Sequence, residues 1–67
     1  MDIRKQVGAN LQRYRRLKGW SQEQLAFKAG LHRTYISGIE RGVRNPTIQI
    51  IKDIADSLGI PAAKMLE

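Results

Sequence analysis

The 67-residue chain contains no cysteine, only two prolines, one tryptophan and one phenylalanine. With no cysteine, neither a disulfide framework nor a thiolate metal site is available to staple a small fold. Stability has to come from well-packed helices, or partly from a partner subunit. Long apolar runs are missing too, since nothing approaches the ~20 residues of a membrane-spanning helix. The basic N-terminus spaces Ile3, Val7 and Leu11 apart, unlike the apolar block of a signal peptide. A cytoplasmic protein with no membrane partner is expected.

Catalytic constellations are equally scarce. A chain this short forms one domain at most, residues 1–67, and buries only about 60% of the surface its unfolded form exposes. That leaves little from which to build a concave pocket. There is no Ser/His/Asp set, no carboxylate pair in a pocket, and no Gly-rich loop followed by Lys-Ser/Thr. His32 is the only histidine, so a metal site is not expected. The expectation is a chain that is not an enzyme and uses no cofactor or small-molecule ligand.

What the chain does have is positive charge. Six acids face twelve Lys and Arg, a net +6. Residues 1–44 hold ten of the basic residues and only Asp2, Glu23 and Glu40 as acids, a local +7. Residues 45–67 hold Lys52 and Lys64 against Asp53, Asp56 and Glu67, a local −1. The first two thirds should therefore face a polyanion, and the last third is free for other work.

Glycines punctuate the chain at 19, 30, 42 and 59, and apolar residues recur at three and four between them. Ile3, Val7, Leu11 and Tyr14 form the stripe of a first helix. Ser21 and Gln24 make a capping-box pattern for a second, whose Leu25, Ala26 and Ala29 face inward. Gly30 supplies the left-handed residue that ends it. A third helix is expected from about Arg33 to Arg41, with Ile36 and Ile39 inward. Thr47 caps a fourth carrying Ile48, Ile51, Ala55 and Leu58, ended by Gly59. Pro61 suits the first turn of a short fifth helix with Met65 and Leu66. Trp20 and Phe27 are expected in the core or on a partly covered surface.

The informative stretch is Gln22 to Arg41: a short helix, a glycine turn, and a second helix of similar length. Ala26 must be small where the next helix crosses it, and Gly30 must take a positive φ. Leu31, Ile36 and Ile39 must be apolar to lock the angle between the two helices. The outer face of the third helix is then free to enter a major groove.

Together with Leu11-x-x-x-Arg15, Ser21-Gln22-x-x-Leu25-Ala26, Tyr35-Ile36-Ser37-x-Ile39-Glu40-Arg41-Gly42 and Asn45-Pro46-Thr47, this pattern resembles the lambda-repressor/Cro-like (XRE) helix-turn-helix family over about residues 7–66. Leu31–Thr47 is similar to the controller proteins of restriction–modification systems. The resemblance implies an all-α, compact five-helix DNA-binding domain with its helix-turn-helix at helices 2 and 3. It implies base contacts at Arg33, Thr34 and Ser37. Arginine's fork suits the two acceptors of guanine, and threonine's methyl suits thymine. It also implies a structural ion pair between Arg15 and Glu40.

Ser21 and Gln22 open the second helix, where backbone dipoles attract phosphate. Arg41, Arg44 and Asn45 follow the recognition helix and are expected to grip the DNA backbone, with a groove contact as the alternative for Arg44. Tyr35 either bonds a phosphate through its hydroxyl or packs its ring at the turn. Gly38 stands where related patterns put a long polar side chain. Either something approaches its backbone closely, or that base is not read.

One helix reads too few base pairs to pick a single site from a genome, so a homodimer on a (pseudo)palindromic operator is expected. Ile60, Ala63, Met65 and Leu66 are its candidate interface. The function read from this is a double-stranded-DNA-binding transcriptional regulator acting on its own gene or a restriction–modification operon, with RNA polymerase as a further partner. The alternative is an antitoxin-type protein-interaction module that also binds DNA, which stoichiometric capture of a neighbouring gene's product would identify.

Overall fold

A computed structural model describes residues 2–67. The described residues form four α-helices and one 3-10 segment: α1 (Ile3–Leu17), α2 (Gln22–Ala29), α3 (Arg33–Glu40), α4 (Ile48–Leu58) and the 3-10 turn Ala62–Leu66. The all-helical expectation holds. The fifth element is a 3-10 turn rather than an α-helix, and Pro61 stands just outside it with extended backbone (ψ 143°). Five residues are too few for α-helical hydrogen bonding to outweigh its nucleation cost. None of the described helices is long and apolar enough to cross a membrane.

Local chemistry sets the helix ends. Ser21 Oγ accepts from the Gln24 N–H at 3.0 Å, and Gln24 Oε1 accepts from the Ser21 N–H at 2.7 Å, closing the capping box. Thr47 Oγ1 accepts from the Ile50 N–H at 3.2 Å. Such caps contribute about 1 kcal/mol each. Gly30 ends α2 at φ 70°, in the left-handed region a side chain would resist. His32 stands before α3 but makes no side-chain cap.

Leu11, Leu25, Ile36, Ile39, Ile54 and Leu58 meet in one core. Burying each contributes roughly 1.5–3 kcal/mol. Met65 joins them at 0% exposure, which corrects its assignment to a subunit interface. Its backbone is tied to α1, since Asn10 Nδ2 donates to the Met65 carbonyl at 2.8 Å. Gln6 Nε2 does the same for the Leu66 carbonyl at 2.9 Å, so the 3-10 turn closes the core from below.

Two other apolar residues depart from expectation. Ile48 is 86% exposed, because the stripe of α4 runs past the end of the core and onto the surface. Phe27 is 87% exposed. It sits two residues from Leu25, about 200° around the helix, and so faces away from the core.

α1 crosses α3 at Gly8. A Cβ there would collide with the carbonyl oxygen of Ile39, so only glycine lets the two backbones approach this closely. That crossing brings Arg15 of α1 beneath the C-terminal end of α3.

Candidate nucleic-acid interface

α2 and α3 are joined by a turn in which the Leu31 N–H donates to the Ala26 carbonyl at 2.8 Å. Ala26 is 2% exposed, small enough to let α3 pass over it. Ile36 and Ile39 are fully buried beneath α3 and fix its rotation about its own axis. At 100° per residue, Arg33, Thr34, Ser37 and Arg41 then share an arc of about 100° on the opposite side. Arg33, Thr34 and Arg41 are exposed and Ser37 is half-buried.

The network behind α3 is built around Glu40. Arg15 Nε donates to Glu40 Oε2 at 2.7 Å and Nη2 to Oε1 at 3.0 Å, while Nη1 reaches the Trp20 carbonyl at 2.7 Å. Gln22 Nε2 donates to Glu40 Oε1 at 3.1 Å, and Gln12 Nε2 to the same oxygen at 3.4 Å. The Arg15–Glu40 pair is thus in place. Burial pushes the Glu40 carboxyl toward its neutral form, but the hydrogen bonds from Arg15 and Gln22 and the Arg15 charge together hold its pKa below 4.5. The described residues leave no buried side-chain polar atom without a partner.

Gln22 therefore has a structural task beyond the one expected of it. Its amide is turned onto Glu40, joining the start of α2 to the end of α3. Gln12 had no sequence signal, because a lone glutamine on a helix looks like surface. Ser21 is exposed and completes the cap. The first backbone N–H groups of α2, at Gln22 and Glu23, have no partner within the helix.

Thr34, Tyr35 and Arg44 come together with His32 and Leu31 around an open depression of about 420 Å³ beside the start of α3. The Tyr35 ring is half-buried against the core, and the Arg44 guanidinium lies over it, 5.5 Å from the ring centre. Asn45 is exposed in the loop that follows. Of the twelve cationic side chains, Arg4, Arg15, Lys52 and Lys64 have carboxylate partners. Among the described residues, Arg33, Arg41 and Arg44 form no ion pair and make no side-chain hydrogen bond. Their charge is left to act outward. No group of three or more His, Asp or Glu is gathered among the described residues that could hold a metal ion.

Ile48, Ile51, Ile60, Ala63 and Leu66 border an apolar groove of about 490 Å³ between α4 and the 3-10 turn. Leu66 is 48% exposed there, Ala63 is exposed and Ile60 half-buried.

Comparison with known proteins matches the HTH_3 family, Helix-turn-helix, over residues 11–65. The crystal structure of the hypothetical transcription factor NHTF from Neisseria superposes with a TM-score of 0.95 at 41% identity, covering 98% of this chain and 76% of that one. The restriction-modification controller protein C.AhdI from Aeromonas hydrophila superposes at 0.90 and 40% identity, over 92% of this chain and 94% of its own. SinR, a master regulator for biofilm formation solved in complex with DNA, superposes at 0.87 and 35% identity, over 91% and 98%.

Proposed function

The chain belongs to the helix-turn-helix family HTH_3, and we propose that it acts as a homodimeric regulator reading a two-fold DNA site. It is a DNA-binding transcriptional regulator. The finer reading is that Arg33, Thr34 and Ser37 read bases, while Ser21, Arg41, Arg44 and Asn45 hold the phosphate backbone on either side. Gln22 contributes its backbone N–H to the phosphate, its side chain being committed to Glu40. Tyr35 acts chiefly through its ring, which supports Arg44.

The observation that carries this reading is the division of α3 into two faces. Ile36 and Ile39 are fully buried, while Arg33 and Thr34 stand exposed at its N-terminal end with no partner in the described chain. A helix so presented, on a surface of unpaired cations, suits the major groove. Two copies are needed because a single helix discriminates too few base pairs. The apolar groove at Ile48, Ile60, Ala63 and Leu66 is the surface such a pair would bury. The likeness to C.AhdI favours a controller of a restriction–modification operon, regulating its own gene from the cytoplasm through RNA polymerase.

The test is an anisotropy titration at two salt concentrations. It compares DNA from immediately upstream of the protein's own gene with a scrambled duplex. Preference for the upstream duplex by ~10³-fold or more, with two chains per site, is the expected result. Weak, equal binding to both that vanishes with salt would reduce the basic face to a non-specific patch.

A further inference from the structure

Glycine is a poor choice in the middle of an eight-residue helix, yet Gly38 stands there with ordinary helical backbone. A Cβ on Gly38 would lie 2.6 Å from Arg44 Cγ, with Arg44 Nε and Cδ at 3.4 and 3.5 Å. The stem of Arg44 therefore runs over α3 through the gap that the missing side chain leaves. Backbone hydrogen bonds bind the same spot, since the Val43 and Arg44 N–H groups both donate to the Gly38 carbonyl at 3.0 and 3.2 Å. Gly38 is one turn beyond Thr34 and Tyr35, so it shares their side of the helix. An arginine laid across it is carried back along α3, to where its guanidinium covers the Tyr35 ring at 5.5 Å.

We propose that Gly38 is a positioning residue for DNA recognition: its lack of a side chain seats Arg44 across the recognition helix, and Tyr35 holds the guanidinium beside Thr34. Arg44 is thereby placed before DNA arrives, although it comes from the loop after α3. The helix gains a second cation at its reading end, in addition to its own Arg33. The proposal rests on the DNA-binding reading and adds the way one of its contacts is prepared. A long side chain at position 38 and a seated Arg44 exclude each other, because both need the same space.

The test is a set of three variants, Gly38→Ala, Arg44→Ala and the double variant. Alanine suits helical backbone better than glycine, and the clashing atom belongs to an exposed, flexible side chain. Gly38→Ala should therefore fold with an unchanged or higher Tm, while displacing Arg44. In the free protein, NMR should find the Arg44 Cδ protons shifted upfield by the Tyr35 ring in the wild type, with that shift lost in Gly38→Ala. In anisotropy titrations with the upstream duplex, Gly38→Ala should bind roughly two- to tenfold more weakly, the cost of immobilising a long side chain at binding. In the Arg44→Ala background the same change should have no effect.

An equal loss in both backgrounds would mean that Gly38 faces the DNA itself, and would overturn the proposal. So would unchanged binding by Gly38→Ala in the wild-type background, or an unshifted Arg44 in the wild type. Failure of the wild type to bind either the upstream or a scrambled duplex at low salt would overturn the regulator reading and, with it, the role assigned to Gly38 in recognition.

Discussion

The guanidinium of Arg15 grips both carboxylate oxygens of Glu40, at 2.7 and 3.0 Å, and so bolts α1 to the end of α3. The side chains are 10% and 2% exposed. A pair this deeply buried is poor evidence for net stability, because desolvation offsets most of the attraction. What it determines is geometry. Gln22 adds the start of α2 to the same carboxylate, so a single acid sets the relation of three helices.

Removing one partner should be far worse than removing both. Arg15→Ala leaves a buried carboxylate without its counterion, and a loss of about 3–5 kcal/mol is expected. Replacing both with apolar residues, as in Arg15→Met with Glu40→Leu, should recover much of that loss. Urea unfolding of the three proteins decides the matter. A single variant as stable as the wild type would show that the pair carries no structural weight.

The same carboxylate makes stability depend on pH. Its folded pKa lies below the ordinary glutamate value of 4.5. The unfolded state therefore binds its proton first as pH falls, and the stabilisation is full above 4.5 and lost as pH drops through the folded pKa. Glu40→Gln should flatten the acid limb of a Tm-against-pH curve below about pH 5. If the limb kept its slope in Glu40→Gln, other carboxyls, such as Asp2 with its similarly lowered pKa, would be responsible.

Gly8 and Gly38 are both mid-helix glycines whose replacement by alanine should improve helix propensity by about 1 kcal/mol. Their environments predict opposite outcomes. At Gly8 the new methyl meets the Ile39 backbone carbonyl, which has nowhere to move without parting α1 from α3. Gly8→Ala should be destabilised by about 1–3 kcal/mol through overpacking. A calorimetric Tm at or above that of the wild type would show that the two helices are not held so close.

On the DNA side, Arg33→Ala should cost about 1–3 kcal/mol on the specific site and relax preference at one base. Arg44→Ala should weaken specific and scrambled DNA alike and lower the salt slope by about one. Titrations over a range of salt separate the two effects. Equal losses on both duplexes for Arg33→Ala would remove it from base reading.

Leu66→Asp places a charge on the groove proposed to join two copies, at a side chain already 48% exposed. The monomer should keep its fold. The dimer should dissociate at a concentration about tenfold higher or more, as sedimentation would read it, since one unpaired buried charge outweighs 1.4 kcal/mol. A sedimentation profile identical to that of the wild type would move the interface elsewhere. Exposed Ile48, which lines the same groove, is the natural second variant.

Most of the fold was legible because its signals are local. The Ser21–Gln24 box, the Thr47 cap and the left-handed Gly30 depend only on residues within a turn or two of each other, and each formed as the spacing implied. The Arg15–Glu40 pairing was legible by resemblance alone, since nothing in the spacing of residues 25 apart requires them to meet. Periodicity misled where it could not see the end of the core. Ile48 continues the α4 stripe and Met65 interrupts an exposed turn, yet Ile48 is outside and Met65 inside. An apolar residue's pattern tells which way it faces, but the arrangement of neighbouring elements decides whether anything stands opposite it.

The sequence alone determined that the chain is helical, where its four α-helices start and stop, that its positive charge is gathered in the first 44 residues, and that α2, turn and α3 form a helix-turn-helix. Caps, turns and charge counts act over a few residues or add without regard to position, so no folded structure is needed to find them. Only the tertiary structure decided that Gly8 marks the crossing of α1 and α3, that Gln12 and Gln22 complete the Glu40 network, and that Gly38 is the gap through which Arg44 reaches Tyr35. Each depends on backbones from separate elements coming within van der Waals distance, and that closeness is created by burial of the core as a whole.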